Sequence, residues 1–352
     1  MKIDLFDYYL PKYLIAQEQV KPRDHSKLLV MDKITGELQD AHFYDILNFL
    51  DSNDVLVLNE TKVFPSRLYG RKLTGAKVEV FLAKKINADS WECLVGGRAL
   101  KIGDKIYFDK KLIGEIISDQ GKIKKVKFNF AGDDFLKIVE RIGHTPLPPY
   151  IKTEDSAHIK KDYQSVFAKT TGSVAAPTAG LHFTPALLKK IEKAGIKILQ
   201  VTLHVGLGTF APVEVEDITQ HKIHSEWASI DKATAQKLNQ YKKAGKKIVA
   251  VGTTAARSLE AFSARAGSAS GGSDTYILES GEKWVNIYIY PGVKFKFVDS
   301  LITNFHLPKS SLLFMVSALA GRENILKAYQ HAVKNSYRFF SFGDAMLIKD
   351  LK

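Results

Sequence analysis

Between Arg67 and Phe130 the chain strings together short β-like segments with no helical period among them: Lys77 to Ala83, Trp91 to Val95, Lys105 to Phe108, Leu112 to Ser118 and Lys122 to Phe130. Segments this close, punctuated by glycines and short polar turns, have room only for antiparallel neighbours, which predicts a small barrel or sandwich. The flanking sequence follows another rhythm. Strand-like runs at Lys27 to Asp32 and Asp54 to Leu58 enclose a helical stretch around Tyr44 to Leu50. Beyond the three-proline connector Gly143 to Ile151, helix and strand alternate: Pro185 to Ala194, Ile196 to Val205, Lys232 to Ala244, Lys247 to Val251. Asp231 is placed to cap the third of these, and Gly195 and Gly245 to stop the helices. The pattern predicts an α/β fold: a barrel-like α/β main domain, discontinuous over residues 1–66 and 144–352, with a small all-β barrel inserted at 67–143. Gly267 to Ser273 reads as a flexible loop.

Composition narrows the class of function. At 352 residues, 45% hydrophobic and 25% charged, the chain has the profile of a soluble globular protein. It has no run of apolar residues long enough for a membrane span, and acids sit where a signal peptide needs bases, so a cytoplasmic protein is expected. One cysteine, Cys93, excludes an internal disulfide and a cysteine-built metal centre; a buried strand position suits it. His221 and His224 lack the HExxH context of a zinc helix, and no metal site is expected. The formal charge of +13 favours a polyanionic partner.

The run Ser173-Val-Ala-Ala-Pro-Thr-Ala-Gly-Leu-His-Phe183 reads as an active-site loop. Its small residues permit close approach of a ligand, Pro177 and Gly180 break regular structure, and His182 supplies a titratable group. Pro177, Thr178 and Gly180 are therefore candidate binding residues, although a tightly packed structural loop has the same composition. Asn59, Thr61 and Lys62 follow a strand directly, the position where α/β folds place ligands and equally that of a solvated turn. Gly206 and Gly208 have the density of a ligand loop without the GxGxxG of a dinucleotide site. Thr253 and Thr254 open a helix after Gly252, with Arg257 one turn on, an arrangement suited to an anion; a threonine there also serves as a simple cap. His182, His204 and His306 all stand at strand or loop ends. They form a catalytic set if those ends share one mouth, and three separately satisfied histidines if they do not.

Several longer motifs resemble one family. Leu58-Asn-Glu-Thr-Lys-Val-Phe-Pro-Ser-Arg67, Gly143 to Ile151, Ser173 to Phe183 and Leu203-His-Val-Gly-Leu-Gly-Thr-Phe210 are similar to the S-adenosylmethionine:tRNA ribosyltransferase-isomerase family. So, in the same order, are Gly252-Thr-Thr254 with Arg257 and Glu260, Tyr290-Pro-Gly292, Asp299 with Leu301-Ile-Thr-Asn-Phe-His-Leu-Pro308, and Phe342 to Met346. Ile223, Val293 and the run Lys160-Lys161-Asp162 depart from the family pattern without removing a reactive group.

The resemblance implies a transferase of queuosine biosynthesis. It moves the ribosyl part of S-adenosylmethionine onto an aminomethyl-deazaguanine base at the tRNA wobble position, rearranges it to epoxyqueuosine, and releases adenine and methionine. It implies tRNA and S-adenosylmethionine as partners, with the latter consumed as substrate and no cofactor, and a monomer. On this basis His182, His204 and His306 are candidate acids or bases, and Asp299 a group to orient one of them or balance the sulfonium. Arg257 or the Thr253 and Thr254 amides are candidates for the methionine carboxylate, and Asn304 for another substrate contact. The alternatives are a non-catalytic tRNA-binding module, which would bind without releasing adenine, and a methyltransferase, which the missing glycine fingerprint argues against.

Overall fold

The computed structural model describes residues 1–121, 123–153, 156–206, 208, 212–265 and 276–351. The loop expected at Gly267 to Ser273 lies outside the described residues, as do Leu207, Thr209 and Phe210 of the glycine-dense segment.

Its centre is four parallel strands in the order Lys197–Leu203, Asp54–Asn59, Lys247–Val251 and Ser300–Asn304. Asp54–Asn59 and Ser300–Asn304 are buried along their whole length, as a parallel strand covered on both faces must be. Ala345–Lys349 runs antiparallel to the last of these, then Lys27–Asp32 and Leu38–His42 finish that side. Glu226–Ile230 and Gly281–Val285 finish the other, making nine strands. The α/β class and the small all-β barrel are as the sequence predicts. The larger sheet, however, runs from an edge at Gly281–Val285 to an edge at Leu38–His42, an open order in place of barrel-like closure.

Alternation sorts the strand residues between two cores. Leu29, Met31, Val55, Val57, Ile248, Ala250 and Leu301 pack with helices Lys232–Lys243, Thr253–Phe262, Ser311–Ala320 and Arg322–Lys334. Leu28, Val30, Leu56, Leu58, Val249, Val251 and Ile302 face the opposite way, onto the three-residue-per-turn helix Phe43–Asn48 and helix Pro185–Lys193. Local chemistry starts these helices: the Thr184 hydroxyl accepts from the Leu187 amide ahead of Pro185, and Asp231 accepts from the Thr234 amide at 2.8 Å.

The second body is a closed antiparallel barrel in the order Ile123–Phe128, Ser90–Gly96, Lys77–Lys85, Arg67–Arg71, Lys105–Tyr107 and Ile113–Gln120. Closure leaves no strand edge open to stray pairing. Leu68, Val80, Leu82, Cys93, Ile106, Ile116 and Val126 fill it, and helix Gly132–Ile142 closes it with Phe135, Ile138 and Val139. Where the chain enters and leaves, Arg67 and His144 exchange backbone hydrogen bonds at 3.3 and 2.8 Å.

Candidate active site

Register fixes which side chains meet. Leu203 lies opposite Ala228, Val201 opposite Asn59, Val251 opposite Ile302, Asn304 opposite Ala345, and Ala345 opposite Leu28. The carboxyl ends of the four parallel strands therefore share one edge of the sheet with Glu226, Asp344 and Ser26, which lie at the starts of their neighbours. Open α/β sheets bind ligands at this edge.

His204 follows the strand end at Leu203. Its Nδ1 lies 2.7 Å from Thr61 Oγ1, and its ring stacks on Trp227 at 4.8 Å and 19°. Nε2 has no hydrogen-bond partner among the described residues. Burial pushes its pKa down to about 4, so at neutral pH the imidazole is uncharged and able to accept a proton. Gly172 sits against the ring: a Cβ there would come within 2.4 Å of Nε2. Asn59 braces the same strand end. Its Oδ1 accepts from the Leu203 amide at 3.0 Å and the Thr61 amide at 3.2 Å, while Nδ2 donates to the Leu203 carbonyl at 3.0 Å. That leaves it a positioning role, whereas Lys62 beside it is exposed.

At the other end of this row stands His182. Asn304 Nδ2 donates to the Phe340 carbonyl at 3.0 Å and to His182 Nε2 at 3.2 Å, so Nδ1 carries the proton and donates to Ser26 Oγ at 2.8 Å. The ring is buried, stacks on Phe43, and has its pKa pushed down to about 3 by burial and then by the Arg338 and Arg23 charges. His306, also buried and pushed to about 3, contacts Thr303 Oγ1 through Nε2 at 2.9 Å. His182 and His306 thus meet adjacent residues at the end of one strand. His204 is three strands away, about 14 Å at the usual strand spacing, so the three rings cannot act on one atom.

Thr253 and Thr254 are buried at the amino end of helix Thr253–Phe262, reached through Gly252 at φ +88°, a conformation that favours glycine. Ala179 lies 3.5 Å from where a Gly252 Cβ would stand, so the turn holding Pro177, Thr178 and Gly180 covers this helix end. Gly180 itself serves packing, because a Cβ there would come within 2.7 Å of Phe167. The Gly206 amide donates to Glu226 Oε1 at 2.9 Å, and Gly208 lies against His224. Glu226 Oε2 pairs with Arg257 Nη1, and both side chains are buried.

A family model described as "Queuosine biosynthesis protein" matches residues 3–348. The chain belongs to that family. It is 49% identical to the S-adenosylmethionine:tRNA ribosyltransferase-isomerase of Halothermothrix orenii, over 99% of this chain and 100% of that one. The crystal structure of S-adenosylmethionine tRNA ribosyltransferase from Thermotoga maritima is similar at 36% identity and a TM-score of 0.54, covering 98% of this chain and 99% of that chain.

Within this member of the queuosine biosynthesis family, Asp299 stands apart from the histidines. It precedes strand Ser300–Asn304, at the opposite edge of the sheet, where its carboxylate accepts from the Ile248 amide at 2.8 Å and pairs with Lys242 at 2.7 Å. That placement separates it from His306 by the length of the strand, so it cannot orient that ring. Glu260 likewise ties down a loop, accepting from the amides of Lys296, Phe297 and Val298. Sequence reading missed Ser26, Trp227 and Glu226, whose partners lie far away in the chain. The Glu226 and Arg257 pair yields a stability prediction. Glu226→Ala leaves a guanidinium buried without its counter-ion, and is expected to cost about 3–5 kcal/mol in equilibrium urea unfolding, against less than about 1 kcal/mol for an exposed pair such as Lys137 and Asp134.

Proposed function

We propose that this chain is an S-adenosylmethionine:tRNA ribosyltransferase-isomerase, transferring and isomerising the ribosyl group of S-adenosylmethionine onto an aminomethyl-deazaguanine base at the tRNA wobble position. The observation that carries the reading is the 49% identity to a relative of that name, spread over 99% of the chain. The strand-end edge supports it chemically. His204, neutral and with Nε2 unpartnered among the described residues, is the group to take the proton from the ribose carbon beside the sulfonium, where positive sulfur acidifies the C–H bond. Thr61 and Trp227 hold its ring. Asn304 Oδ1, buried and without a partner among the described residues, is an acceptor suited to an N–H of a substrate base. The expelled adenine needs a proton at its leaving nitrogen; His182 and His306, both pushed to about 3 by burial, are unprotonated at neutral pH and are poor donors. Substrate geometry does the rest, since attack by the aminomethyl nitrogen depends on its being held close to the activated sugar.

On this reading S-adenosylmethionine is consumed and no resident cofactor takes part. One chain carries the whole edge, residues 67–143 form a unit inserted into the α/β body, and the protein works in the cytoplasm. Among the described residues no helix is long and apolar enough to cross a membrane. The +13 charge and exposed lysines such as Lys62, Lys105 and Lys127 suit tRNA phosphates.

The test is a chromatographic assay with S-adenosylmethionine and tRNA carrying the aminomethyl-deazaguanine base. Adenine, methionine and the epoxyqueuosine nucleoside are expected in equal amounts, with tRNA affinity falling as salt rises, by a log–log slope of about −0.7 to −0.9 per phosphate neutralised. Tight tRNA binding without adenine would leave a binding module, and S-adenosylhomocysteine would point to methyl transfer.

A further inference from the structure

Arg257 is 5% exposed, and Nη1 is the guanidinium nitrogen that meets Glu226. Its Nε and Nη2 are buried and have no hydrogen-bond partner among the described residues. Those two nitrogens form one edge of the planar group, and their N–H bonds point the same way, matching the two oxygens of a carboxylate. Buried donors are rarely left unmade, and two on one edge mark a site that a ligand completes. A second group agrees. Thr254 Oγ1, one turn earlier at the helix amino end, is also buried and has no partner among the described residues. The partial positive charge of the helix end favours an anion.

We infer that the Nε and Nη2 edge of Arg257 receives the carboxylate of the sulfonium substrate, and so sets selectivity for S-adenosylmethionine over its decarboxylated counterpart. This rests on the proposed use of S-adenosylmethionine and deepens it, since the guanidinium edge, rather than the helix amides alone, becomes the carboxylate receptor. Glu226 gives the edge its direction. By holding Nη1 it turns Nε and Nη2 away from itself, and by cancelling the guanidinium charge it leaves directed hydrogen bonds as the source of discrimination. Its other oxygen holds the Gly206 amide at 2.9 Å, so carboxylate binding and the position of the glycine segment are mechanically joined. Lysine cannot replace such a fork, because an ammonium offers a point charge without the paired donors.

Calorimetric titration separates this from the activity itself. Wild-type protein is expected to bind S-adenosylmethionine about a hundredfold more tightly than decarboxylated S-adenosylmethionine. Arg257→Lys should weaken S-adenosylmethionine binding by about tenfold or more and leave the decarboxylated ligand within about twofold, collapsing the ratio. Equal wild-type affinity for the two ligands would overturn the proposal. So would a loss in Arg257→Lys that is the same for both, which is the mark of a structural residue. If the variant fails to fold, the wild-type ratio alone decides. Failure of the proposed reaction would look different: the binding ratio would stand while no adenine is released.

Discussion

Replacing His204 with asparagine is expected to lower turnover about a hundredfold or more, with little change in S-adenosylmethionine binding or thermal midpoint. The expectation follows from position. Of the three strand-end histidines it is the one that is not buried, and its Nε2 is unpartnered among the described residues. Its pKa of about 4 keeps it unprotonated at neutral pH, while Thr61 and Trp227 restrict its rotation. The same loss should be reached without touching the imidazole. A Cβ at residue 172 would stand 2.4 Å from Nε2, closer than any real contact, so Gly172→Ala must push the ring out of place. Steady-state adenine release with saturating tRNA measures both variants. Turnover within about threefold of wild type for His204→Asn would remove it from the chemistry. Loss in His204→Asn with full activity in Gly172→Ala would mean that the ring need not be held where it is.

What could be read from the sequence was local or periodic. Caps at Asp231 and Thr184 lie three residues from the amides they serve, and the barrel strands alternate visibly because one face is buried. Asn59, Thr61 and Gly252 read as strand-end residues, and strand ends are where they stand. Contacts across long stretches of chain were not legible. His182 meets Ser26 across 156 residues and Asn304 across 122, and no local pattern announces either contact. Leu38–His42 and Gly281–Val285 are mostly solvated edge strands, so they lack the apolar run that marks the central ones. Asp299 shows the opposite failure. It lies only a few residues from His306 in sequence, but the intervening strand advances about 3.3 Å per residue and carries the chain some 17 Å across the sheet. Sequence proximity means least along a strand.

Burial of the imidazoles also governs how the protein responds to acid. His182 and His306 have folded pKa values near 3, whereas a histidine in the unfolded chain titrates near 6.5. Between those values the unfolded chain binds more protons, so stability is complete above pH 6.5 and is lost as pH falls toward 3. From pH 7 to pH 4.5 each contributes a loss of about 2–3 kcal/mol, together about 5 kcal/mol, comparable with the whole stability of many domains. His204, held near 4, adds nearly as much over this window. The most strongly depressed carboxylates separate cleanly from this window. Asp32 and Asp217 are held to about 2, chiefly by hydrogen bonds that outweigh burial in the first and by the amino terminus in the second, and they lose their contribution only below about pH 4. Urea unfolding at pH 7.5, 6 and 4.5 should therefore show midpoints falling steeply before any such carboxylate titrates. His306→Asn removes one titrating group and should reduce the slope by about a third to a half, even if the variant is less stable throughout. A flat wild-type midpoint between pH 7 and 5 would mean that both rings can be protonated inside the fold, and the neutral tautomer assigned to His182 from its Ser26 and Asn304 contacts would have to be abandoned.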